Sequence, residues 1–153
     1  MAASTTPTSS KWTFLMYKAT DQATTYTKLV DIKNYSDIGG SREMLETTTL
    51  TDDMQHFIPG IIQLDGGSIT FDCNYTLGTY TTLKGLENVE KDYAVWFGGT
   101  QTGGATTPTP DGADGKFEFK GQLTVRVTGK GVNEVREMQV SIAPTTDITQ
   151  SAS

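Results

Sequence analysis

His56 and Cys73 are the only histidine and cysteine in the chain, and both are residue types that enzymes use. A Ser-His-Asp or Cys-His site would have to be built on them, since a nucleophile needs a base within hydrogen-bond reach and a third group to orient it. Neither residue sits in a stretch that supplies those partners. His56 lies in an irregular segment between Asp52 and Gly67 and reads as an exposed loop residue. Cys73 lies in SITFDCNY, where Ile69, Phe71, Cys73 and Tyr75 share one parity, so it reads as a small buried hydrophobe.

The carboxylates lead to the same expectation. Asp52-Asp53, Asp65 and Asp72 could supply an acid-base pair, but an acidic chain offers such pairs on any solvated face. DGADG, Asp111 to Gly115, has the look of a calcium loop, yet the position that should hold a bidentate Glu is Gln122, and the segment runs into a strand. A turn is the expectation there. The glycine clusters GGTQTGG and TGKGVN lack the strand-to-helix setting and the Lys-Ser/Thr ending of a phosphate cradle. Trp12, Tyr17, Tyr93, Trp96 and Phe97 could form a sugar-binding platform, but they fall in strand patterns that favour core packing. The expectation is therefore no catalytic residue, no metal ligand and no cofactor site.

Composition narrows the class. At 153 residues the chain can bury a core of its own without a disulfide or metal staple. Threonine makes up about a sixth of it, and together with 16 glycines this leans toward strands. Twelve basic against 18 acidic residues leave a formal charge of -6, the wrong sign for gripping nucleic acid by counterion release. MAASTTPTSS has neither the basic start nor the apolar core of a signal peptide. The longest apolar run, around FIPGIIQL, is too short to span a bilayer. A soluble cytoplasmic protein with no membrane partner is expected.

The elements that must position these residues are mostly extended. Residues 1–10 read as a flexible arm, 11–144 as one β-domain, and 145–153 as a polar tail. KWTFLMYK, YTKLVDI, SITFDCNY and DYAVWFGG read as strands, the last apolar on both faces and so fully buried. Met44 to Leu50 is expected to be extended. The stretch from Gly98 to Gly115 is expected to be a mobile loop. The one helix candidate is TLGTYTTLKGLENVEK, with Thr76 as N-cap and Leu77, Tyr80, Leu83 and either Leu86 or Glu87 at near-helical spacing. Gly78 and Gly85 weaken it, so it should hold only by docking on a sheet.

The clearest pattern is GKFEFKGQLTVRVTGKGVNEVREMQVSIAP. Phe117, Phe119, Leu123, Val125 and Val127 are odd; after the turn Met138, Val140 and Ile142 are even. Directly opposed residues on antiparallel strands share a face, so odd positions must pair with even ones. One register that satisfies this sets Arg126 opposite Glu137 and Val125 opposite Met138.

Taken as a whole, the chain resembles the major tail tube proteins of bacteriophages with long, non-contractile tails. The likeness is carried by YTKLVDIKNYSDIGGSREMLETTTLTD, MQHFIPGI, FDCNYT with the short helix after it, DYAVWFGG and GQLTVRVTGKGVNEVREMQVSIAPTTDIT, in that order. The resemblance implies a mainly-β sandwich or barrel-like subunit with one flanking helix and long loops. It also implies hexameric rings stacked into a tube, whose lumen lets DNA pass without tight binding. Partners would be other copies of the chain, with the tape measure, distal tail and tail terminator proteins; the location would be the virion, and the host cytoplasm before assembly. Whether the polar face carrying Lys116, Lys120 and Arg126 lines that lumen stays open at this level.

Within that frame, the irregular segment from Ile38 to Leu64 is the expected ring-stacking element, with Phe57, Ile58 and Ile61 as its apolar contacts. Those three residues could instead cover the subunit's own core. A carbohydrate-binding or adhesin-like β-domain, using the 98–115 loop and nearby aromatics, is the alternative function.

Overall fold

The computed structural model describes Pro7, Ser9 and residues 11–20, 22–64 and 67–151. The expected arm over 1–10 lies outside these apart from Pro7 and Ser9, as does Asp65. The chain folds as all-β: β1 Thr13–Tyr17, β2 Thr27–Val30, β3 Asn34–Tyr35, β4 Gly40–Glu46, β5 Phe57–Leu64, β6 Ile69–Asn74, helix α1 Leu77–Gly85, β7 Glu90–Thr100, β8 Thr109–Thr128, β9 Glu137–Pro144 and β10 Thr149–Ser151.

Eight strands form one antiparallel sheet in the order β2-β1-β7-β8-β9-β6-β3, with β10 also on β8; β4 and β5 form a separate two-stranded ribbon. The ends of the seven-strand path, β2 and β3, are joined by residues 31–33 alone. That connection spans at most about 14 Å from Val30 to Asn34, so the sheet has to roll on itself. The rolled interior is the core. The expected parities fill it: Ile69, Phe71 and Cys73 from β6, Tyr93 and Val95 from β7, Phe119, Leu123 and Val125 from β8, and Met138, Val140 and Ile142 from β9 are all buried. Each such side chain taken out of water contributes roughly 1.5–3 kcal/mol before entropy is counted.

DYAVWFGG is buried on both faces, as its unbroken apolar run predicts. Tyr93 and Val95 enter the main core, whereas Ala94 joins Phe14 and Met16 in a second cluster flanked by Trp12, Tyr26 and Trp96. Tyr17 and Phe97 pack against the main core. The five candidate platform aromatics are thus divided between two packed clusters.

Helix α1 forms over the first part of the expected segment and stops at Gly85, with Glu90 and Lys91 already in β7. Thr76 caps it, its hydroxyl accepting from the Thr79 amide at 3.3 Å. The helix docks through Leu83, its one buried residue, while Leu77 stays 70% exposed. Tyr80, partly buried, packs against the main core beside Leu83, so of the anticipated stripe Leu77 is the residue left exposed.

Three expectations are corrected. The 98–115 loop is largely strand: Gly99 pairs with Pro110 and Thr100 with Thr109, leaving 101–108 as the connection. DGADG is a bulge in β8, with the Asp111 carboxylate accepting from the Ala113 amide at 2.9 Å. The bulge needs left-handed backbone at Gly112 (φ 64) and opposite it at Gly98 (φ 102), which is why the segment is glycine-rich and reads as loop. Second, the stretch from Asp52 to Gly67 is not irregular throughout, since it contains β5.

Third, the β8–β9 register lies two residues from the one expected. Arg126 faces Gln139, and Glu137 faces Thr128. Parity admits both registers, but the expected one would set Ile142 opposite Gly121. The observed one matches three full-sized pairs instead: Leu123 with Ile142, Val125 with Val140 and Val127 with Met138. Glu137 is then held from elsewhere, by Lys33 at 2.8 Å and Lys130 at 3.4 Å.

Residues 145–151, part of the expected polar tail, continue along β8. Thr145 donates to the Lys120 carbonyl at 2.7 Å, and beyond a bulge Thr149 pairs with Glu118. The edge of β8 that β9 leaves at Gly121 is where the tail finds its hydrogen bonds.

Candidate assembly surface

The residues with chemical potential do not converge. Cys73 is fully buried, and burial, followed by the nearby Asp72 and Glu137 charges, pushes its thiol up to about 11. His56 sits exposed at the tip of the β4–β5 ribbon, its carbonyl accepting from Thr47 and its amide donating to the Thr48 hydroxyl. Asp52 closes the same tip, accepting from the Thr49 amide at 2.7 Å. Asp72 accepts from the Gln139 side chain at 3.3 Å on the polar side of β6. Among the described residues no group of three or more His, Cys, Asp or Glu could hold a metal ion. None of their helices is long and apolar enough to cross a membrane.

What the structure does gather is apolar surface outside any core. The ribbon pairs Met44 with Pro59, Leu45 with Ile58 and Glu46 with Phe57. Opposed residues share a face and neighbours alternate, so Met44 and Phe57 lie on one side and Leu45 and Ile58 on the other. All four are exposed, at 56%, 46%, 45% and 50% respectively. Ile61 and Ile62, at the register shift nearer the body, are 73% and 59% exposed, and Leu50 and Met54 add to the tip. Phe57, Ile58 and Ile61 are therefore together on one ribbon, and none belongs to the subunit's core. A two-stranded ribbon with both faces apolar and about half exposed is marginal in water.

The ribbon's hydrogen bonding explains how Pro59 fits a strand. Thr47 donates to the His56 carbonyl, so alternation also turns the main-chain groups of Leu45 and Ile58 toward each other and those of Met44 and Pro59 outward. The missing donor of Pro59 thus falls on the free edge of β5, where a strand tolerates it. The free edge of β4 keeps its donors at Met44 and Glu46.

A second free edge lies on β8. Its pairing with β7 ends at Gln122 opposite Glu90, but β8 runs on to Thr128. Glu87, in the exit of α1, covers the start of this stretch: it bridges to Leu123, and its carboxylate accepts from the Val125 amide at 2.9 Å. Its other oxygen pairs with Lys84 at 2.9 Å. These two contacts, the Val125 amide first, hold the Glu87 carboxyl below the usual carboxylate range. Asn88 follows in left-handed backbone (φ 63), turning the chain into β7. Helical spacing offered Glu87 only as an alternative to Leu86 on the stripe of α1; its place on the β8 edge was not legible, because its partner lies 38 residues away. Met44, Leu45 and Ile62 were also missed as surface residues, although their apolar type beside Gly40, Pro59 and Gly60 was a usable sign.

Compared with known proteins, the chain matches no family model and no curated sequence.

Proposed function

We propose that this protein is a self-assembling structural subunit, a tail tube protein of a long-tailed bacteriophage. It acts as hexameric rings stacked into a tube that conducts DNA. The observation that carries the reading is the β4–β5 ribbon, whose apolar residues on both faces stay about half exposed or more and belong to no core cluster among the described residues. Such a surface is stable once another copy covers it. Phe57, Ile58 and Ile61 are its stacking contacts. The formal charge of -6 suits a wall that DNA slides past, because a basic wall would hold phosphate. Before assembly the protein belongs in the host cytoplasm, afterwards in the virion, beside the tape measure, distal tail and tail terminator proteins.

Negative-stain microscopy of the purified chain tests this. Rings or tubes are expected from the wild type. Phe57→Asp should give a folded protein, by circular dichroism and thermal melt, that no longer assembles. A wild-type chain that stays monomeric at every concentration and binds glycans would favour the carbohydrate-binding reading instead.

A further inference from the structure

The free edge of β8 and the free edge of β4 are complementary in length, hydrogen bonding and charge. Beyond Gln122, β8 continues for six residues, 123–128, without a strand on that side. Because the Val125 amide points to this edge, alternation turns the N–H and C=O of Val127 the same way. Val127 is also half exposed. β4 is seven residues long, whereas the shorter strands β2, β3 and β10 have four, two and three. The eight-residue β5 is blunted by Pro59.

The charges match as well. β4 carries Arg42 near its body end, where the guanidinium donates to the Gly60 carbonyl at 3.0 Å, and the span 43–56 from there round to the tip carries Glu43, Glu46, Asp52 and Asp53 with no further lysine or arginine. The β8 edge is bordered by Lys84, whose one salt bridge among the described residues is to Glu87. A carboxylate that displaced Glu87 would find that ammonium free.

We propose that the edge of β8 from Val125 to Thr128 receives β4 of a second copy, and that Glu87 keeps this edge shut in the free chain. The Glu87 carboxylate satisfies one strand amide and shields the edge from indiscriminate pairing. On assembly the incoming strand takes over the Val125 amide and bonds Val127, while Glu43 or Glu46 replaces Glu87 at Lys84. The ribbon thereby gains the third strand it lacks. This inference rests on the self-assembly reading and specifies which edges meet.

Amide hydrogen exchange, read before and after assembly of the full chain, tests it together with two variants. The Val127 amide is expected to slow about tenfold or more in the assembled state. Glu87→Gln, a weaker acceptor of the same shape, should shorten the assembly lag in light scattering severalfold. Met44→Pro removes an outward donor of β4 without touching a bond to β5, and should abolish or strongly delay assembly while the Thr47 amide stays as protected as in the wild type. Wild-type assemblies in which Val127 exchanges as in the free chain would overturn the inference and leave the tube reading standing. So would Glu87→Gln assembling no faster, or Met44→Pro assembling normally. A wild-type chain that never assembles would overturn both.

Discussion

Arg126 on β8 lies directly opposite Gln139 on β9, and its guanidinium donates to the Gln139 side-chain oxygen from Nε at 3.0 Å and also from Nη2. Gln139 passes the contact on, donating to Asp72 on β6. Three strands are tied by one polar row on the side away from the core. The register of the central hairpin is thus fixed on both faces at once, by matched apolar pairs inside and by this row outside.

That register can be read chemically. Thr124 and Ser141 are opposed, and opposed Cα atoms in such a pair lie about 5.5 Å apart, within disulfide range. Thr124→Cys with Ser141→Cys should cross-link in air without loss of fold. Thr124→Cys with Gln139→Cys, which the two-residue shift would bring together, should stay reduced. Mass spectrometry of the non-reduced protein distinguishes them.

Cys73 should be chemically silent. Its side chain is fully buried, and its thiol titrates at about 11 instead of its ordinary 9.0. Because the raised value means the folded state holds the proton more tightly, the contribution to stability is present below the unfolded pKa and is lost as pH climbs from 9 toward 11. A thiol reagent at pH 8 should label the native protein negligibly and the urea-unfolded protein completely.

Helix α1 can be tuned from both directions. Thr76→Ala removes the oxygen that accepts from Thr79 and should cost about 1 kcal/mol. Gly78 lies in the helix, and a Cβ there would meet nothing within 4 Å, so Gly78→Ala should stabilise by about 1 kcal/mol. In a domain this size that is roughly 2–4 °C in melting temperature, with opposite signs for the two variants in calorimetry.

Acid should loosen two ties. The carboxyls of Glu87, beside the Val125 amide and Lys84, and of Glu137, beside Lys33, are held below the ordinary range. Depressed values mean that their contribution is complete above the unfolded carboxylate pKa, about 4.3, and is lost as pH falls through the folded values. Denaturant midpoints should decline below about pH 4, and Glu87→Gln should flatten part of that decline.

The strands of the body were legible because each alternates, and alternation is a property of neighbours in the chain. The inward set Phe119, Leu123, Val125, Met138, Val140 and Ile142, the burial of Cys73 and the Thr76 cap all follow from local spacing. The β7–β8 bulge was not legible. Gly98, Gly112 and Asp111 serve a bent ladder, but the same residue types serve a loop equally well, and only the partner strand separates the two.

By itself the sequence determined an all-β chain with one capped helix and a central hairpin whose inward face could be assigned up to Val127, which is half exposed. It did so because side-chain direction and helix capping depend on positions one to four apart. The tertiary structure alone decided the register, since pairings two residues apart satisfy the same parity and are told apart only by the apolar pairs they match inside and the polar row Arg126–Gln139–Asp72 they build outside. It alone also decided that Phe57, Ile58 and Ile61 stand outside the core, and that Glu87 sits on the β8 edge. Those facts depend on which surfaces the rolled sheet has already used up, and that quantity exists only when the distant parts of the chain are in place.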